Sequence, residues 1–197
     1  MMAPTTVLEY KHENASAQDV AQQIEQQIAQ QVAQQIDPQL RTRFVEAMGL
    51  NATSVNVITT AGKSGRFGLT VSAFNSVSAD PPTLLVCINR RSPACGAILR
   101  NEKFAVNILN RAQRHISDTF AGRPTCGEAF DFSCCEWADG ITGIPVIKDA
   151  VASFECQVEA VHDIGSHTVF IGRAVAVEKS DQQPLMYSRR GYSHLSP

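Results

Sequence analysis

The sequence has no long hydrophobic run and almost no excess charge of either sign. Its apolar stretches, such as Leu84 to Ile88, fall far short of the roughly 20 residues that a membrane helix needs. The 197 residues carry a formal net charge of −2, so no overall positive field attracts nucleic acid. Met1 to Tyr10 shows no basic segment followed by an apolar one, as a secretory signal would. We therefore expect a cytoplasmic protein that binds neither membranes nor nucleic acid.

The common catalytic motifs are also missing. The sequence contains no H-E-x-x-H motif, no G-x-S-x-G motif and no Walker loop. Residues Gly62 to Gly65 include the letters G-K-S, but the upstream glycine of a P-loop is absent, and the segment is predicted to turn a hairpin. Chemistry based on a side-chain triad or on a nucleoside triphosphate is therefore not expected.

Six cysteines are present, but no pair has C-x-x-C spacing. Cys87 and Cys156 lie in apolar strand patterns and are interpreted as small core residues. Cys126, Cys134 and Cys135 form the one cluster suited to metal or redox chemistry, but adjacent cysteines chelate a metal poorly and no histidine lies nearby at ligand spacing. No metal site is predicted, and the thiols are expected to stay reduced.

The first part of the chain differs in composition from the rest. Glutamine fills nine of the eighteen positions from Gln18 to Gln35. Apolar residues recur at every fourth position, namely Val20, Ile24, Ile28, Val32 and Ile36. This spacing predicts a helix that ends at Asp37-Pro38. We divide the chain into a Gln-rich helical extension, residues 1–39, and a main domain, residues 40–197. The helix either packs on a partner subunit or forms a frayed extension, and the sequence favours neither.

The main domain has the pattern of a β protein with a few helices. Alternating or apolar segments predict strands at residues 54–60, 70–78, 83–89 and 104–109, and helices at 41–49 and 110–121. The continuously apolar segment Thr83 to Asn89 is expected to be buried on both faces. Residues 152–177 predict a hairpin whose turn, Asp163 to His167, uses the backbone freedom of Gly165. Together these elements predict a closed β-barrel with helical additions.

The region from Arg66 to Asn89 carries the residues best suited to a ligand. Its small side chains would let the backbone approach a flat ring, and its amides could donate to ring carbonyls. The Arg90-Arg91-Ser92 cluster at the strand end could hold a phosphate. An ordinary Ser/Thr-rich strand followed by a solvated basic turn has the same composition, so these residues alone leave both interpretations open.

The order of residues from Gly68 to Ser92, GLTVSAFNSVSADPPTLLVCINRRS, resembles the signature of the flavin reductase-like family. Further matches are FAVNIL at 104–109, FAG at 120–122, TGIPV at 142–146 and GSHTVFIG at 165–172. The tail from Pro184 to Tyr192 also fits, so the resemblance spans about residues 40 to 195. Several ordered motifs at the expected spacing make it specific.

The resemblance implies a short-chain NAD(P)H:flavin oxidoreductase, the reductase component of a two-component monooxygenase. The expected fold is mainly β with helices: an FMN-binding split β-barrel preceded by the N-terminal helical extension. A homodimer with the flavin near the subunit interface is expected, with FMN or FAD and NADH or NADPH as cofactors. Hydride transfer is the cofactors' own chemistry, so no catalytic side chain is expected. Reduced flavin would then diffuse to a flavin-dependent monooxygenase or halogenase.

The resemblance also assigns cofactor contacts. The segment that lines the isoalloxazine and the ribityl chain comprises Arg66, Phe67, Gly68, Leu69, Thr70, Ser72 and Ala73. The second flavin-contacting segment comprises Cys87, Ile88, Asn89, Ser92, Pro93 and Ala94. Phe120 is placed near the outer part of the flavin. The positions associated with the nicotinamide nucleotide are His167, Tyr187, Ser188, Arg189 and Arg190.

Three positions depart from the family pattern. Family members commonly carry threonine at Ala94, aspartate at Ser166 and glycine at Ser54. The first departure removes a hydroxyl that could contact phosphate. The second removes a carboxylate that could pair with His167, whose imidazole could otherwise make a pH-sensitive hydrogen bond to the nucleotide.

Two alternative functions use the same residues. In the first, a tightly bound flavin serves electron transfer or another reduction. In the second, the protein is a non-catalytic dimeric flavin-binding or interaction module that docks through its Gln-rich helix. A shared fold does not separate these functions, because function depends on the site.

Overall fold

The computed structural model describes residues 17–34 and 38–193, and the chain divides into two compact units, residues 1–48 and 49–197. The first unit contains helix α1, Ala17–Gln34, and helix α2, Pro38–Met48. Both predicted helices are present, and α2 begins before the predicted Arg41 because a proline fits the first helical turn. The predicted end of α1 at Asp37 lies outside the described residues. The domain boundary at residue 39 stays a prediction.

The large apolar side chains that the structure describes in the first unit are exposed. Val20, Ile24 and Ile28 on α1 are exposed, as are Phe44 and Met48 on α2. Neither these helices nor the others among the described residues are long and apolar enough to cross a membrane.

The second unit is mainly β with a few helices, as predicted. Its strands in chain order are β1 Thr53–Ser54, β2 Asn56–Thr60, β3 Phe67–Val71, β4 Phe74–Ala79, β5 Pro82–Asn89, β6 Lys103–Ile108, β7 Trp137–Asp139, β8 Pro145–Ile147, β9 Ala152–Ile164, β10 His167–Lys179, β11 Met186–Ser188 and β12 Gly191–Ser193. Its helices are α3 Pro93–Asn101 and α4 Arg114–Phe120, with short 3-10 helices at Arg111–Gln113 and Phe132–Cys134.

One antiparallel sheet of seven strands, in the order β3-β2-β6-β9-β10-β5-β4, dominates this unit. Two predicted hairpins are confirmed within it. β2 and β3 are joined through a turn in which the Gly65 amide donates to the Gly62 carbonyl at 2.9 Å. β9 and β10 are joined at Gly165, whose φ of +56° lies in the left-handed region that glycine adopts readily.

The prediction of one strand over residues 70–78 is wrong, because the chain breaks at Ser72 and Ala73. β3 ends at Val71, which pairs with Asn56 on β2, whereas β4 begins at Phe74, which pairs with Val86 on β5. Since β3 and β4 lie at opposite edges of the sheet, the chain leaves one edge at this bend and enters the other. Leu69 and Val71 pack against the core before the bend and Phe74 packs against it after the bend, so the alternation shifts by one residue there. The sequence prediction treated residues 70–78 as one unbroken alternation.

Two apolar clusters pack against the sheet. One is formed by Ile58, Leu84, Val86, Ile88, Cys95, Ile98, Phe104, Val106, Cys156 and Phe170, all buried. The other is formed by Val55, Val57, Leu109, Ile116, Phe120, Ile147, Ala150 and Leu185. Adjacent residues of β2 enter different clusters, so β2 is buried on both faces.

β5 does not follow its prediction of burial on both faces. Leu84, Val86 and Ile88 enter the core, but Leu85 and Cys87 are only half-buried. Successive side chains of a strand point to opposite faces, so the continuous apolar run places its alternate residues on the outer face of the sheet.

Buried polar groups are hydrogen-bonded throughout the described residues, where no buried side-chain nitrogen or oxygen lacks a partner. The buried Asn107 amide donates to the Val57 carbonyl at 3.0 Å, and its oxygen accepts from the Ile147 amide and the Ser153 hydroxyl, both at 2.9 Å. The buried Glu155 carboxylate accepts from the amides of Ile141 and Thr142 at 2.9 and 2.8 Å. These two residues tie the segment around β8 to the sheet.

The close packing at Gly172 leads to a stability prediction. A Cβ there would lie 2.5 Å from Cζ of Phe104 and 2.9 Å from Cβ of Cys156, both in the core. Gly172→Ala should therefore lower the free energy of unfolding by about 1–3 kcal/mol in denaturant titrations. Gly191→Ala is the matched control, because the nearest contact of its Cβ is the Ser188 carbonyl at 3.8 Å. Equal stability of the two variants would contradict the packing described here.

Candidate functional site

The bend between β3 and β4 presents two free backbone donors. Ser72 and Ala73 are exposed, and their carbonyls accept from the amides of Phe74 at 3.1 Å and Cys87 at 3.0 Å. Within residues 17–34 and 38–193, the amides of Ser72 and Ala73 donate to no other residue. Because unpaired backbone donors bind acceptors readily, the bend can hold a ligand that carries carbonyl oxygens or ring nitrogens along one edge.

A cavity of about 200 Å³ lies beside this bend. Its lining combines hydroxyl, aromatic and small side chains, with one guanidinium: Val55, Thr70, Val71, Ser72, Ser117, Ala121, Arg123, Tyr187 and Tyr192. Three predicted site residues, Thr70, Ser72 and Tyr187, are thus brought together from distant parts of the sequence. The other polar members, Ser117, Arg123 and Tyr192, were not assigned to the site from the sequence.

Helix α4 packs directly on β3 and forms one side of the cavity. The Thr70 hydroxyl donates to the Ser117 carbonyl at 2.8 Å. A Cβ on Gly68 would lie 2.6 Å from the Phe120 ring, so only glycine permits this approach. Phe120 itself is buried and packs edge-on against Phe132 at 5.1 Å between ring centroids. The Phe120 ring packs against β3 and is not among the residues that line the cavity, and its predicted position near the outer part of the flavin stays a prediction.

The remaining residues of the first predicted segment have partners of their own. The Arg66 guanidinium lies 4.4 Å from the centroid of the Phe132 ring. Leu69 packs against the core cluster around Ile58, and Phe67 is half-buried where it pairs with Thr60. These contacts hold the side chains of β3, so its backbone and hydroxyl groups are the ones available to a ligand.

The second predicted segment begins next to the bend. Cys87 donates its amide to Ala73, and burial raises the pKa of the Cys87 thiol. Ile88 and Ala94 are buried in the core, so their side chains do not reach solvent. Ser92 is the N-cap of α3, with Pro93 in the first turn, and its side chain makes no capping hydrogen bond. The Ser92 hydroxyl and the first turn of α3 can therefore accept another partner.

His167 is the first residue of β10 and pairs with Asn89, the last residue of β5. His167 is exposed, and its Nδ1 lies 2.9 Å from the Ser166 hydroxyl. Ser166, which stands where family members commonly carry aspartate, is therefore itself a hydrogen-bonding partner of His167. Arg90 forms hydrogen bonds with the turn that joins β9 and β10. Its amide donates to the Ser166 carbonyl at 3.0 Å, and its guanidinium donates to the Gly165 carbonyl and lies 3.6 Å from Asp163. Arg90 thus holds the hairpin instead of standing free for a phosphate.

The C-terminal strands β11 and β12 form the opposite wall of the cavity. The rings of Tyr187 and Tyr192 meet edge to face at 5.5 Å between centroids. The Tyr192 hydroxyl donates to Asp118 Oδ1 at 2.6 Å and lies 2.9 Å from the Ser117 hydroxyl. Burial raises the pKa of Tyr192, and its hydrogen bond to Asp118 raises it further. This cluster fastens the tail to α4.

The rest of the predicted tail segment forms the turn between β11 and β12. Ser188 donates its hydroxyl to the Leu50 carbonyl at 3.1 Å. Arg189 and Arg190 adopt left-handed backbone conformations with φ of 51° and 61°, and both side chains are exposed. Their guanidinium groups are accessible to an anionic ligand, but they do not line the cavity.

The cysteine cluster shows no features of a reactive centre. Burial raises the pKa of the Cys135 thiol to about 12, so it stays protonated at neutral pH. Across the described part of the chain, no three histidine, cysteine or acidic side chains are grouped so as to hold a metal ion.

Comparisons with known proteins identify the family of the chain. A family model described as the flavin reductase like domain matches residues 48–196. An FMN reductase (NADH) RutF of Stutzerimonas stutzeri is 38% identical over 160 residues, which cover 81% of this chain and 91% of the relative. Another, from Methylorubrum extorquens, is 42% identical over 153 residues, covering 77% of this chain and 75% of the relative.

Solved structures show the same fold. The flavin reductase PheA2 in its native state superposes with a TM-score of 0.73 at 36% identity, covering 82% of this chain and 100% of that one. BorF, the flavin reductase component of a bacterial two-component tryptophan halogenase, superposes with a TM-score of 0.71 at 31% identity, covering 80% of this chain and 99% of that one.

The chain therefore belongs to the flavin reductase-like family, and the predicted split β-barrel is confirmed. The predicted enzyme class, an NAD(P)H:flavin oxidoreductase, is confirmed as well.

The attachment of the tail through Tyr192 gives a second prediction. Tyr192→Phe removes the hydrogen bond to the Asp118 carboxylate and should lower the free energy of unfolding by about 1.5–3 kcal/mol. The pKa of Tyr192 is raised in the folded state, so the protonated hydroxyl stabilises the folded protein. This stabilisation is complete below about pH 10 and is lost as the pH rises through the folded-state pKa. Denaturant titrations at neutral and alkaline pH measure both effects.

Tyr187→Phe is the control, because its hydroxyl makes no hydrogen bond to another described residue. If both tyrosine variants lost the same stability at neutral pH, the hydrogen bond to Asp118 would not be what fastens the tail.

Proposed function

We propose that the protein reduces FMN with NADH and releases the reduced flavin to a separate flavin-dependent monooxygenase or halogenase. The observation that carries this proposal is the pair of free amides at Ser72 and Ala73 beside a cavity of hydroxyl and aromatic groups. Relatives named FMN reductase (NADH) support FMN and NADH in preference to FAD and NADPH. Transfer of reduced flavin by diffusion fits the cytoplasmic location expected from the sequence.

The residues at the bend fit a flavin by chemistry. An isoalloxazine ring carries carbonyl oxygens and ring nitrogens along one edge, and the Ser72 and Ala73 amides are donors placed one residue apart. The small side chain of Ala73 lets the ring approach the backbone. When bound, the flavin supplies the chemistry, accepting a hydride from the nicotinamide. The chain binds the ring, orients it and polarises it through backbone donors, so no side-chain acid or base is required.

The other predicted contacts extend this arrangement. Thr70 would contact the ribityl chain, and the Ser92 hydroxyl with the first turn of α3 would hold the flavin phosphate. His167, with Nδ1 occupied by Ser166, would present Nε2 to the nicotinamide nucleotide. The exposed guanidinium groups of Arg189 and Arg190 would lie along the same nucleotide.

A homodimer is part of the proposal, because one chain encloses too little volume. Ligand pockets measure about 300–1,000 Å³, whereas the cavity at the bend measures about 200 Å³. A flavin nucleotide held at Ser72 and Ala73 would therefore protrude from a single chain. A second copy could cover it.

The outer face of the sheet offers a surface for that second copy. Cross-strand pairing places Leu85 on β5 beside Ile171 on β10, and Ile171 beside Ala160 on β9. The next row on the same face contains Cys87 and Val169. All five are half-buried in the single chain, which is typical of a strand face that a partner covers.

Charge placed on this face should break the dimer. Light scattering should show a dimer for the wild type and a monomer for Ile171→Asp, because a buried unpaired carboxylate is strongly unfavourable at an interface. Val177→Asp is the control, since Val177 lies on the same strand and is 53% exposed. A monomeric wild-type protein at micromolar concentration would overturn the dimer proposal.

A bulky side chain at the bend should block the flavin. Ala73→Trp places a large ring where the isoalloxazine approaches, and should weaken FMN binding by more than tenfold in a fluorescence titration. Ala112→Trp makes the same substitution at an exposed position of a 3-10 helix and should bind FMN normally. Circular dichroism establishes that both variants are folded. A folded Ala73→Trp variant with wild-type affinity would show that the ring does not lie on this bend.

Steady-state kinetics with both flavins and both nucleotides test the function itself. Colourless protein that reduces added FMN rapidly with NADH would support an exchanging reductase. A flavin that stays firmly bound and accepts electrons without leaving the protein would favour the electron-transfer alternative. Absence of turnover with either nucleotide would favour the non-catalytic module.

A further inference from the structure

Arg123 is held at the cavity by the end of α4. Gly122, with φ of +72°, follows the last helical turn, and its amide donates to the Thr119 carbonyl at 3.1 Å. The Arg123 amide then donates to the Asp118 carbonyl at 2.9 Å. These two hydrogen bonds form a Schellman motif, which fixes the backbone of the residue that follows the glycine. The Cα–Cβ bond of Arg123 therefore has a fixed direction relative to α4.

The charge of Arg123 is not neutralised by the protein. Arg123 is the one charged residue among those that line the cavity at the bend. In the described ranges, no carboxylate lies within 4.0 Å of its guanidinium. Asp118, which accepts the Arg123 amide through its carbonyl, has a carboxylate that is already engaged. Tyr192 donates to one of its oxygens at 2.6 Å, and Arg114 lies 3.6 Å from the other.

The neighbouring polar groups suit an anion. Ser72 has an exposed side chain and a free amide, and the Ser117 hydroxyl lies at the same cavity. A guanidinium flanked by hydroxyl and amide donors is the group that recognises phosphate oxygens. The chemistry of the lining therefore favours a phosphate over a carboxylic acid or a neutral ring alone.

We propose that Arg123 forms an anionic subsite that binds a phosphate group of one of the two reacting nucleotides. The inference rests on the proposed function, because both substrates of that reaction carry phosphate. The phosphate would belong either to the nicotinamide nucleotide or to the flavin nucleotide, and in the second case Arg123 would hold it in place of Ser92. The two sources share the chemistry of the site. Arg123 is accordingly a specificity-determining residue for phosphorylated over unphosphorylated forms of one substrate.

The test compares each substrate with its phosphate-free counterpart. Dissociation constants are measured by fluorescence for FMN and riboflavin, and for NADH and reduced nicotinamide riboside, with the wild type, Arg123→Gln and Arg123→Lys. Arg123→Gln should weaken the binding of the phosphorylated compound in one pair by about tenfold or more and leave the binding of its phosphate-free counterpart unchanged. Arg123→Lys should restore part of the loss, because it keeps the charge without the bidentate geometry.

The affected pair identifies the source. If Arg123→Gln weakens the binding of FMN but not of riboflavin, the phosphate belongs to the flavin nucleotide. If it weakens the binding of NADH but not of reduced nicotinamide riboside, the phosphate belongs to the nicotinamide nucleotide. Arg111→Gln is the control, because Arg111 is exposed on a 3-10 helix outside the cavity and should bind all four compounds normally.

Three results would overturn the proposal. In the first, all four dissociation constants stay unchanged in Arg123→Gln. In the second, the binding of both members of a pair weakens equally. In the third, only the thermal stability falls, as expected if Arg123 merely balances the α4 helix dipole. Because these are binding measurements, they report on Arg123 even if the protein fails to reduce flavin. A failed turnover assay would overturn the proposed function separately.

Discussion

The structure depends on one constraint of connectivity: β3 and β4 are consecutive in the chain but lie at opposite edges of the sheet. The two residues between them, Ser72 and Ala73, cannot belong to either ladder. Their amides are consequently left outside the backbone hydrogen bonding that satisfies the rest of the sheet. The same bend that draws the barrel together therefore creates the donors on which the proposed flavin site depends.

The packing around the bend keeps these donors in a defined position. Gly68 allows the Phe120 ring to lie against β3, and the Thr70 hydroxyl ties the strand to the Ser117 carbonyl of α4. Tyr192 then joins the C-terminal strands to Asp118 on the same helix. Helix α4 thus connects two walls of the cavity, and its end supplies Arg123. A rigid arrangement of this kind suits an enzyme whose task is to orient two rings, since hydride transfer needs close and aligned reactants.

The sequence predicted the local elements well and the long-range ones less well. The β9–β10 hairpin and the Gly62–Gly65 turn depend on neighbouring residues, and both were predicted. The break at Ser72 was not predicted, because it depends on a change of partner strand from β2 to β5, and such long-range pairing is not visible in the local pattern of residues 70–78. The half-exposed face of β5 was missed for a related reason: a continuous apolar run does not reveal which of its faces a single chain covers.

Some of the residues assigned through the resemblance to the family lie at one cavity, and their contacts with the cofactors stay a prediction. Thr70, Ser72 and Tyr187 meet at the cavity, which no spacing in the sequence would indicate. The role of Arg90 as a clamp on the hairpin tip depends on Gly165 and Asp163, far along the chain. Tyr192 and Arg123 were not assigned, although Gly122 after a helical segment is a signal for a helix end that fixes the next residue.

We propose that the flavin ring is held by the backbone amides of the bend. The most direct measurement is an FMN titration of ¹⁵N-labelled protein followed by amide chemical shifts and hydrogen exchange. The amides of Ser72 and Ala73 should shift in a saturable manner and exchange more slowly when FMN is bound, because each gains an acceptor. If FMN binding shifted other amides in a saturable manner but left Ser72 and Ala73 unchanged, with exchange as fast as in the free protein, the ring would not be bound at the bend.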